Sequence, residues 1–525
     1  MTRQISPPLA FATLRIALGL GIAADVLFRA DGLALGIPIW MAMVCLGGIA
    51  LVSRADRSVS REGAVWLVMS VVFAAGCAWR ASEELRFYDF VAGLLCLTMA
   101  AIVIHDDRVS VFAARLMELG SRLVRVIRGS ITGLLPFAAR DLRGLGIAES
   151  WARSTRPAVR VILIVIPLAL VFGSLLRGAD PIFASFIALP AIDVGPLVSH
   201  VVVTGIFSWL LAGAMRTTLL AADADPRSTP PVPVRLGMLE TTTILVTLNV
   251  LFAAFVAAQL GWLFGGERLV QARTGLTAAE YARQGFFQTV WVVVLVLPLL
   301  IASRAALRDD PSVARRHTLL SLPVIALVGT IIVSAMLRMR LYVHYYGLST
   351  DRFYTLVFMA WLGVVLLWVA ATVLRGRERS FAGGAFVSGL LMLGALNIAS
   401  PDAIVARVNI ERVRSGSATL TPLDVDYLAR LHGDAVPLTT RAIIDGVSPS
   451  SAGAPSDAQR CHAARRILQR WGPASDVRAQ MERPAGWRGW NAGERTAVRT
   501  VADNASALRA VSHLCPPQAR PTNQR

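Results

Sequence analysis

The sequence contains no lysine, so all 52 of its basic residues are arginines. This absence excludes any reaction that runs through a lysine Schiff base. Charged residues make up only 16% of the chain, whereas 55% of its residues are hydrophobic and the mean hydropathy is +0.58. Because soluble globular proteins carry nearer a quarter of charged residues, the composition indicates a protein whose solvent is the lipid bilayer.

Common catalytic and metal-binding motifs are missing as well. The sequence has no P-loop, no G-x-S-x-G and no H-E-x-x-H, and its five cysteines lack the spacing of a zinc site. We therefore expect no metal ion and no cofactor, and the sequence favours a protein without enzymatic activity. The alternative is a membrane-embedded enzyme with an unfamiliar site.

The net charge of +18 would suggest nucleic acid in a soluble chain. Here, however, the arginines stand between apolar runs, where they keep connecting loops on the cytoplasmic side of a membrane. We therefore expect the basic residues to interact with the lipid bilayer and not with nucleic acid.

Long apolar runs dominate the first 400 residues. A helix needs about 17 to 25 apolar residues to cross the hydrocarbon core. The sequence predicts an all-α, polytopic transmembrane bundle of about 11 helices, followed by a small helical extramembrane domain. The predicted spans are 9–28, 33–52, 64–79, 88–105, 161–176, 198–215, 239–264, 286–303, 319–337, 353–374 and 381–400.

Composition divides the chain into four parts. We expect N-terminal transmembrane helices at 1–105, an arginine-rich amphipathic connection at 106–160, the main bundle at 161–400 and a helical soluble domain with a loose tail at 401–525. The connection at 106–160 is the richest in arginine, which places it in the cytoplasm. Counting spans from it puts the N terminus inside and the C-terminal domain outside, in the periplasm or the extracellular space.

Within this connection, residues 109–127 have apolar residues at helical spacing, with arginines between them. Phe112, Leu116, Leu119 and Leu123 form the apolar stripe. The pattern predicts an amphipathic helix that lies in the plane of an anionic lipid surface. A helix that binds a partner protein is the alternative.

The C-terminal domain contains two cysteines, Cys461 and Cys515. If the domain lies outside, these residues are in an oxidising compartment and on separate helices, so a disulfide between them is expected. Two unrelated free thiols are the alternative.

The polar stretch 338–354 joins two apolar runs and holds four of the seven tyrosines. Under the predicted topology it shares the outer side with residues 179–183, 277–287 and 397–412, the last of which includes Asp402, Asn409 and Arg412. Arginine, tyrosine, histidine and carboxylate groups together can bind an anionic or lipid-like ligand. An aromatic belt with snorkelling arginines is the alternative. The candidate ligand-binding residues are Glu280, Arg283, Arg338, Tyr342, His344, Tyr346, Asp351 and Arg352.

Four short motifs resemble an uncharacterised bacterial family of multi-pass membrane proteins, a domain of unknown function. They are LTAAEYARQGFF at 276–287, YYGLSTDR at 345–352, NIER at 409–412 and LDVDYL at 423–428. The resemblance covers roughly residues 160–440 and includes the ADPIF turn at 179–183. It implies a bacterial inner-membrane protein of many helices, and it supplies no activity or catalytic residue.

These observations leave three functional hypotheses. The first is a transporter-like or sensor bundle with a ligand site on its outer face. The second is a membrane enzyme acting on a lipid or envelope precursor, with His344 or Glu280 as the acid or base. The third is a scaffold whose outer domain recruits an envelope protein.

Overall fold

The structure is a computed structural model of the chain. It describes residues 6–29, 33–106, 109–133, 165, 172, 194–220, 235–274, 286–308, 310–416, 422–447, 453–472 and 486–515. The predicted fifth span at 161–176 lies outside these residues, apart from two isolated positions, and so do the turn at 179–183 and residues 275–285.

Before residue 400, the described part of the chain forms eleven α-helices. In order they are α1 Pro7–Phe28, α2 Gly36–Arg54, α3 Arg61–Trp79, α4 Glu83–His105, α5 Leu116–Thr132, α6 Val194–Met215, α7 Met238–Thr274, α8 Phe286–Ala305, α9 Pro311–Tyr346, α10 Thr350–Ala371 and α11 Arg379–Ala399.

Nine of the described helices are long and apolar enough to cross a membrane, and α8 contributes a shorter apolar helix at Thr289–Ala305. The described residues contain no β-strand, only an isolated bridge between Leu236 and Leu307. The predicted fold class, an all-α polytopic bundle with a helical C-terminal domain, is therefore confirmed.

Two apolar cores hold the bundle together. The first is built by α1 to α4 with α5, α6 and part of α11, which we call the N-terminal helix group. Phe28, Trp40 and Phe207 pack there with ring centroids 5.4 to 5.6 Å apart. The second core is built by α7 to α10 and Phe381, and we call it the C-terminal helix group. Large-scale rearrangement of the bundle would therefore take place between these two cores rather than within them.

Helix boundaries follow from local chemistry. Ser60 and Ser82 accept backbone hydrogen bonds from Gly63 and Leu85, which starts α3 and α4. Gly347 ends α9 with a φ of 78°, in the region where side chains are strained. The sequence suggests Thr350 as the cap of α10, but the cap is Ser349, whose hydroxyl accepts from Arg352.

The amphipathic helix α5 begins later than the sequence predicts. Residues Val111–Ala113 form a 3₁₀ turn, in which Phe112 stacks on Trp66 at 5.8 Å. The turn is fixed because the Glu62 carboxylate accepts a hydrogen bond from the Val111 amide. Phe112 therefore belongs to the turn, and of the predicted stripe Leu119 is buried while Leu116 is exposed.

Beyond residue 400 the described residues form a compact helical domain. Its helices are α12 Pro401–Arg414, α13 Val425–Leu428, α14 Val436–Asp445, α15 Asp457–Trp471, α16 Ala492–Asp503 and α17 Ala505–Ser512. One apolar core joins them, and Leu348, Val343 and Phe353 of the bundle pack against it. Cys461 and Cys515 form a disulfide with a Cα–Cα distance of 5.3 Å, which ties α15 to the end of α17.

The helix ends sort into two faces of the bundle. The connections α1–α2, α3–α4 and α9–α10 all contact the C-terminal domain, so we call this side the domain face. On the opposite side, Arg57 donates to the carbonyls of Ile104, His105 and Leu219. Arg304 pairs there with Glu378 at 3.4 Å. We call this side the arginine face.

Candidate functional site: the junction between the bundle and the C-terminal domain

Three of the predicted ligand-binding residues come together at the end of α9. The rings of Tyr342 and Tyr346 are 4.9 Å apart, and the guanidinium of Arg352 lies 4.4 Å from the Tyr342 ring. Arg352 also donates to the carbonyl of Gly347 at 2.5 Å. Arg352 therefore satisfies a carbonyl at the C-terminal end of α9, as cations at helix ends commonly do.

The other predicted residues are spread more widely. Arg338 lies one turn earlier on α9 and is 5% exposed. The exposed side chain of His344 packs its ring against Tyr345 at 5.4 Å, and Asp351 is exposed in the first turn of α10. Glu280 and Arg283 lie outside the described residues. The structure thus brings Tyr342, Tyr346 and Arg352 into one cluster and leaves His344 on another side of α9.

The C-terminal domain attaches to the C-terminal helix group through hydrogen bonds between its side chains and backbone groups of the bundle. Asn409 accepts from the Leu348 amide at 2.9 Å and donates to the Leu348 carbonyl at 2.7 Å. Arg412 donates to the carbonyls of His344 and Tyr345. The Tyr427 hydroxyl accepts from the Thr350 amide. Because Leu348 also belongs to the apolar core of the domain, we expect this hydrogen-bonded joint to be permanent.

The attachment to the N-terminal helix group is built from charges. Arg80 and Asp434 are 3.5 Å apart, and Arg86 lies 4.0 Å from Glu494. The second oxygen of Asp434 accepts from the Ala81 amide at 2.8 Å. Asn491 donates to the Arg80 carbonyl at 2.7 Å. We call this set the charged joint, and its strength depends on protonation in a way that the hydrogen-bonded joint does not.

A chain of polar contacts continues from the charged joint into the bundle. The Arg80 Nε donates to the Asn397 carbonyl at 2.5 Å. The Asn397 amide nitrogen donates in turn to Asp89 at 2.7 Å. Asp89 is fully buried in the second turn of α4. Ionisable groups inside a membrane helix are costly and are usually retained for a function.

Behind the charged joint, His432 forms a hydrogen bond with Asp402. The Nδ1 atom of His432 lies 2.9 Å from a carboxylate oxygen of Asp402, which also accepts from the His432 amide at 3.2 Å. Asp402 is fully buried, whereas the His432 side chain is 20% exposed. Nearby, the hydroxyls of Ser82 and Tyr354 are 3.3 Å apart.

The titratable groups of the joint share one direction of pKa shift. Burial alone lowers the pKa of His432, but the hydrogen bond and charge of Asp402 outweigh it, so this pKa lies above 6.5. Burial raises the pKa of Asp434 and of Glu494 above their usual values, against the opposing charges of Arg80 and Arg86. All three groups therefore bind protons more tightly in the folded protein than as free side chains, so their contribution to stability falls as the pH rises through their pKa values.

Sequence reasoning placed Asp402, Asn409 and Arg412 on the outer side but did not find their partners. The sequence alone did not identify the three titratable residues of the domain, His432, Asp434 and Glu494. It did not identify Asp89 in the bundle either. The Arg80 contact to Asn397 spans 317 residues, and the Ala81 contact to Asp434 spans 353. One residue of this polar chain, Asn397, stands out in the sequence because it is polar and lies in an apolar run. Its partner is in another helix, and residue spacing does not identify a partner at that distance.

The described residues contain no group of three or more histidine, cysteine or acidic side chains arranged to hold a metal ion. The titratable side chains of the junction, His432, Asp434 and Glu494, can exchange protons and can make and break ion pairs.

Comparison with known proteins gives one match. A family described as "Domain of unknown function (DUF4153)" matches residues 66–442. No curated protein and no solved structure matches the chain. The family match begins at residue 66, whereas the short motifs suggested a start near residue 160. The match therefore also includes most of α3 and all of α4. It therefore takes in both Asp89 and the Arg80 side of the charged joint.

Proposed function

The chain belongs to this family of unknown function, so we propose its role from its own geometry: a non-enzymatic membrane sensor whose C-terminal domain reports on the state of the bundle. The observation that carries the proposal is the polar chain from Asp89 through Asn397 and Arg80 to Asp434. It connects an acid inside the bundle with the domain outside it.

The two joints support a sensor because they attach one domain to both helix groups. The hydrogen-bonded joint fixes the domain to α9 and α10, while the charged joint holds it to the connection between α3 and α4. A shift between the helix groups acts first on the charged joint, because Leu348 continues the apolar core of the domain at the hydrogen-bonded joint, whereas the charged joint rests on polar contacts. A transporter-like rocking of the two groups would use the same arrangement.

The stimulus that we propose is an anionic or lipid-like ligand at the end of α9. Tyr342, Tyr346 and Arg352 form its aromatic and cationic part, with Arg338 one turn deeper. Glu280, Arg283, His344 and Asp351 complete the proposed set. An envelope protein bound to the C-terminal domain is the partner that would receive the signal.

We propose the bacterial inner membrane as the location, with the N terminus in the cytoplasm and the C-terminal domain in the periplasm or extracellular space. The clustering of arginines on one face supports this orientation, since cytoplasmic loops carry the excess of basic residues. The disulfide between Cys461 and Cys515 suits an oxidising compartment.

Thiol labelling tests this orientation. We expect a membrane-impermeant maleimide to label intact spheroplasts at Cys515 only after reduction, because Cys45, Cys77 and Cys96 are buried in the bundle. A Cys515→Ser variant should lose the label and serves as the control. Labelling that requires rupture of the membrane would place the domain in the cytoplasm and reverse the proposed orientation.

The coupling itself is tested by Asp89→Asn, which keeps the shape of the side chain and removes its charge. In bilayer nanodiscs, we expect faster hydrogen exchange in α16, which carries Glu494 of the charged joint, and no change in α14. Thr98→Val on the same helix is the matched control, because the Thr98 hydroxyl bonds only to its own helix at Leu94. Unchanged exchange in α16 would show that Asp89 is not coupled to the domain.

A membrane-embedded enzyme is the second candidate, and the His432–Asp402 pair favours it. An imidazole oriented by a buried carboxylate is a common arrangement for a general base, and His432 is partly accessible. The two candidate functions differ in whether they require the charge of Asp89. An enzyme working at His432 would let Asp89→Asn complement a deletion strain fully, whereas the sensor requires Asp89.

A further inference from the structure

A second candidate site lies on the arginine face, across the bundle from the junction. A partly open cavity of about 370 Å³ lies between α2, α4, α5 and α6. Its volume falls within the range of small-molecule sites. Trp40, Leu94, Phe207 and Leu211 are among the apolar side chains that line it.

The polar groups that line this cavity are already satisfied by the protein. The hydroxyls of Thr98, Ser130 and Thr218 each donate to a carbonyl four residues earlier on their own helix. The Trp40 indole donates to the Leu20 carbonyl at 3.1 Å. With no free donor directed into it from these groups, the cavity suits a hydrocarbon chain rather than a polar ligand.

At the end nearest the arginine face, the cavity meets a smaller one of about 30 Å³ with a different lining. Ala101, Val126 and Thr218 line both, so the two spaces are neighbours. The smaller cavity is also lined by Arg122, Arg125 and His105. Among the described residues, one carboxylate is paired there, that of Asp106, which lies 3.8 Å from Arg122. Positive charge therefore gathers at one end of an apolar cavity.

We propose that this pair of cavities binds one anionic phospholipid, with an acyl chain between α2, α4 and α6 and its phosphate at Arg122 and Arg125. The arrangement of the two linings matches the arrangement of the lipid, apolar at one end and anionic at the other. Guanidinium groups bind phosphate through paired hydrogen bonds, and both arginines lie on α5, an amphipathic helix of the kind that binds lipid headgroups.

Native mass spectrometry of the full-length protein tests the proposal with phosphatidylglycerol and phosphatidylcholine of identical acyl chains. We expect the first phosphatidylglycerol to bind about tenfold more tightly than phosphatidylcholine, because phosphatidylcholine carries the same phosphate together with a quaternary ammonium that Arg122 and Arg125 repel. In Arg122→Gln and Arg125→Gln this preference should fall to within about twofold. Arg128→Gln is the matched control, because Arg128 is exposed on the same helix and lines neither cavity.

Substitutions that fill the cavity distinguish a lipid whose acyl chain lies inside the cavity from a lipid that binds only at the protein surface. A side chain at Gly48 begins in ordinary contact with Leu219, at 3.9 Å, so Gly48→Leu should fold and weaken binding of both lipids. Ala101→Leu offers the same test from α4. Equal affinity for the two lipids in the wild type, equal loss in Arg128→Gln, or full binding in both filled variants would each overturn the proposal.

Discussion

Replacing Asn409 with alanine should detach the C-terminal domain from the end of α9. The Asn409 side chain makes three hydrogen bonds, two of them to the amide and carbonyl of Leu348, and it is only 6% exposed. The substitution leaves both groups of Leu348 buried without that partner. Since each such group costs about 1 to 3 kcal/mol, we expect a loss of about 3 kcal/mol or more in the docking of the domain.

Thermal unfolding of the full-length protein measures this loss, and hydrogen exchange at residues 348–353 locates it. Asn504→Ala is the control, because among the described residues the Asn504 side chain bonds only to the carbonyl of Thr500, four residues earlier. An Asn409→Ala protein that unfolds at the same temperature as this control would show that the joint is dispensable for the fold.

Replacing His432 with alanine should give the second large effect, and this one depends on pH. The change leaves the fully buried Asp402 with only a backbone amide in place of its imidazole partner. Breaking a buried pair costs about 3 to 5 kcal/mol when the remaining charge is uncompensated. We therefore expect a loss of about 3 kcal/mol at a pH where the imidazole is charged.

The pH dependence follows from the raised pKa of His432. A base with a raised pKa in the folded protein binds more protons there than in the unfolded chain. Its contribution is complete below pH 6.5 and is lost as the pH rises through the raised value. The difference in stability between wild type and His432→Ala should thus shrink from pH 6 to pH 9. His462→Ala, at an exposed position of α15, is the matched control over the same pH range. A gap between wild type and His432→Ala that widens at high pH would contradict our assignment.

The sequence predicts what depends on local patterns. Apolar runs predict the helices, and Gly347 predicts the end of α9, because a left-handed backbone there requires glycine. The start of α5 is displaced because Glu62, from another helix, holds Val111 in a 3₁₀ turn. The local pattern of apolar residues cannot predict a contact between Glu62 and Val111, because the two residues lie in different elements.

Less of the candidate site than of the fold could be predicted from the sequence. The sequence groups Arg352 with ligand-binding residues, and the structure shows that it also satisfies the carbonyl of Gly347. The charged joint was missed because its partners lie more than 300 residues apart, and surface acids such as Asp434 and Glu494 are indistinguishable from solvated charges until the fold buries them.

The contact between Asn491 and the α3–α4 connection joins residues 411 and 414 positions apart, and this has a consequence for biosynthesis. At about 5 to 20 residues per second, roughly 20 to 80 seconds separate the synthesis of Arg80 from that of its partner. During that interval the carbonyls of Cys77 and Arg80 depend on water for hydrogen bonds. The α3–α4 hairpin is therefore completed by a segment that is synthesised 411 residues after Arg80, so a chain that stops short of Asn491 would carry an open end on its domain face.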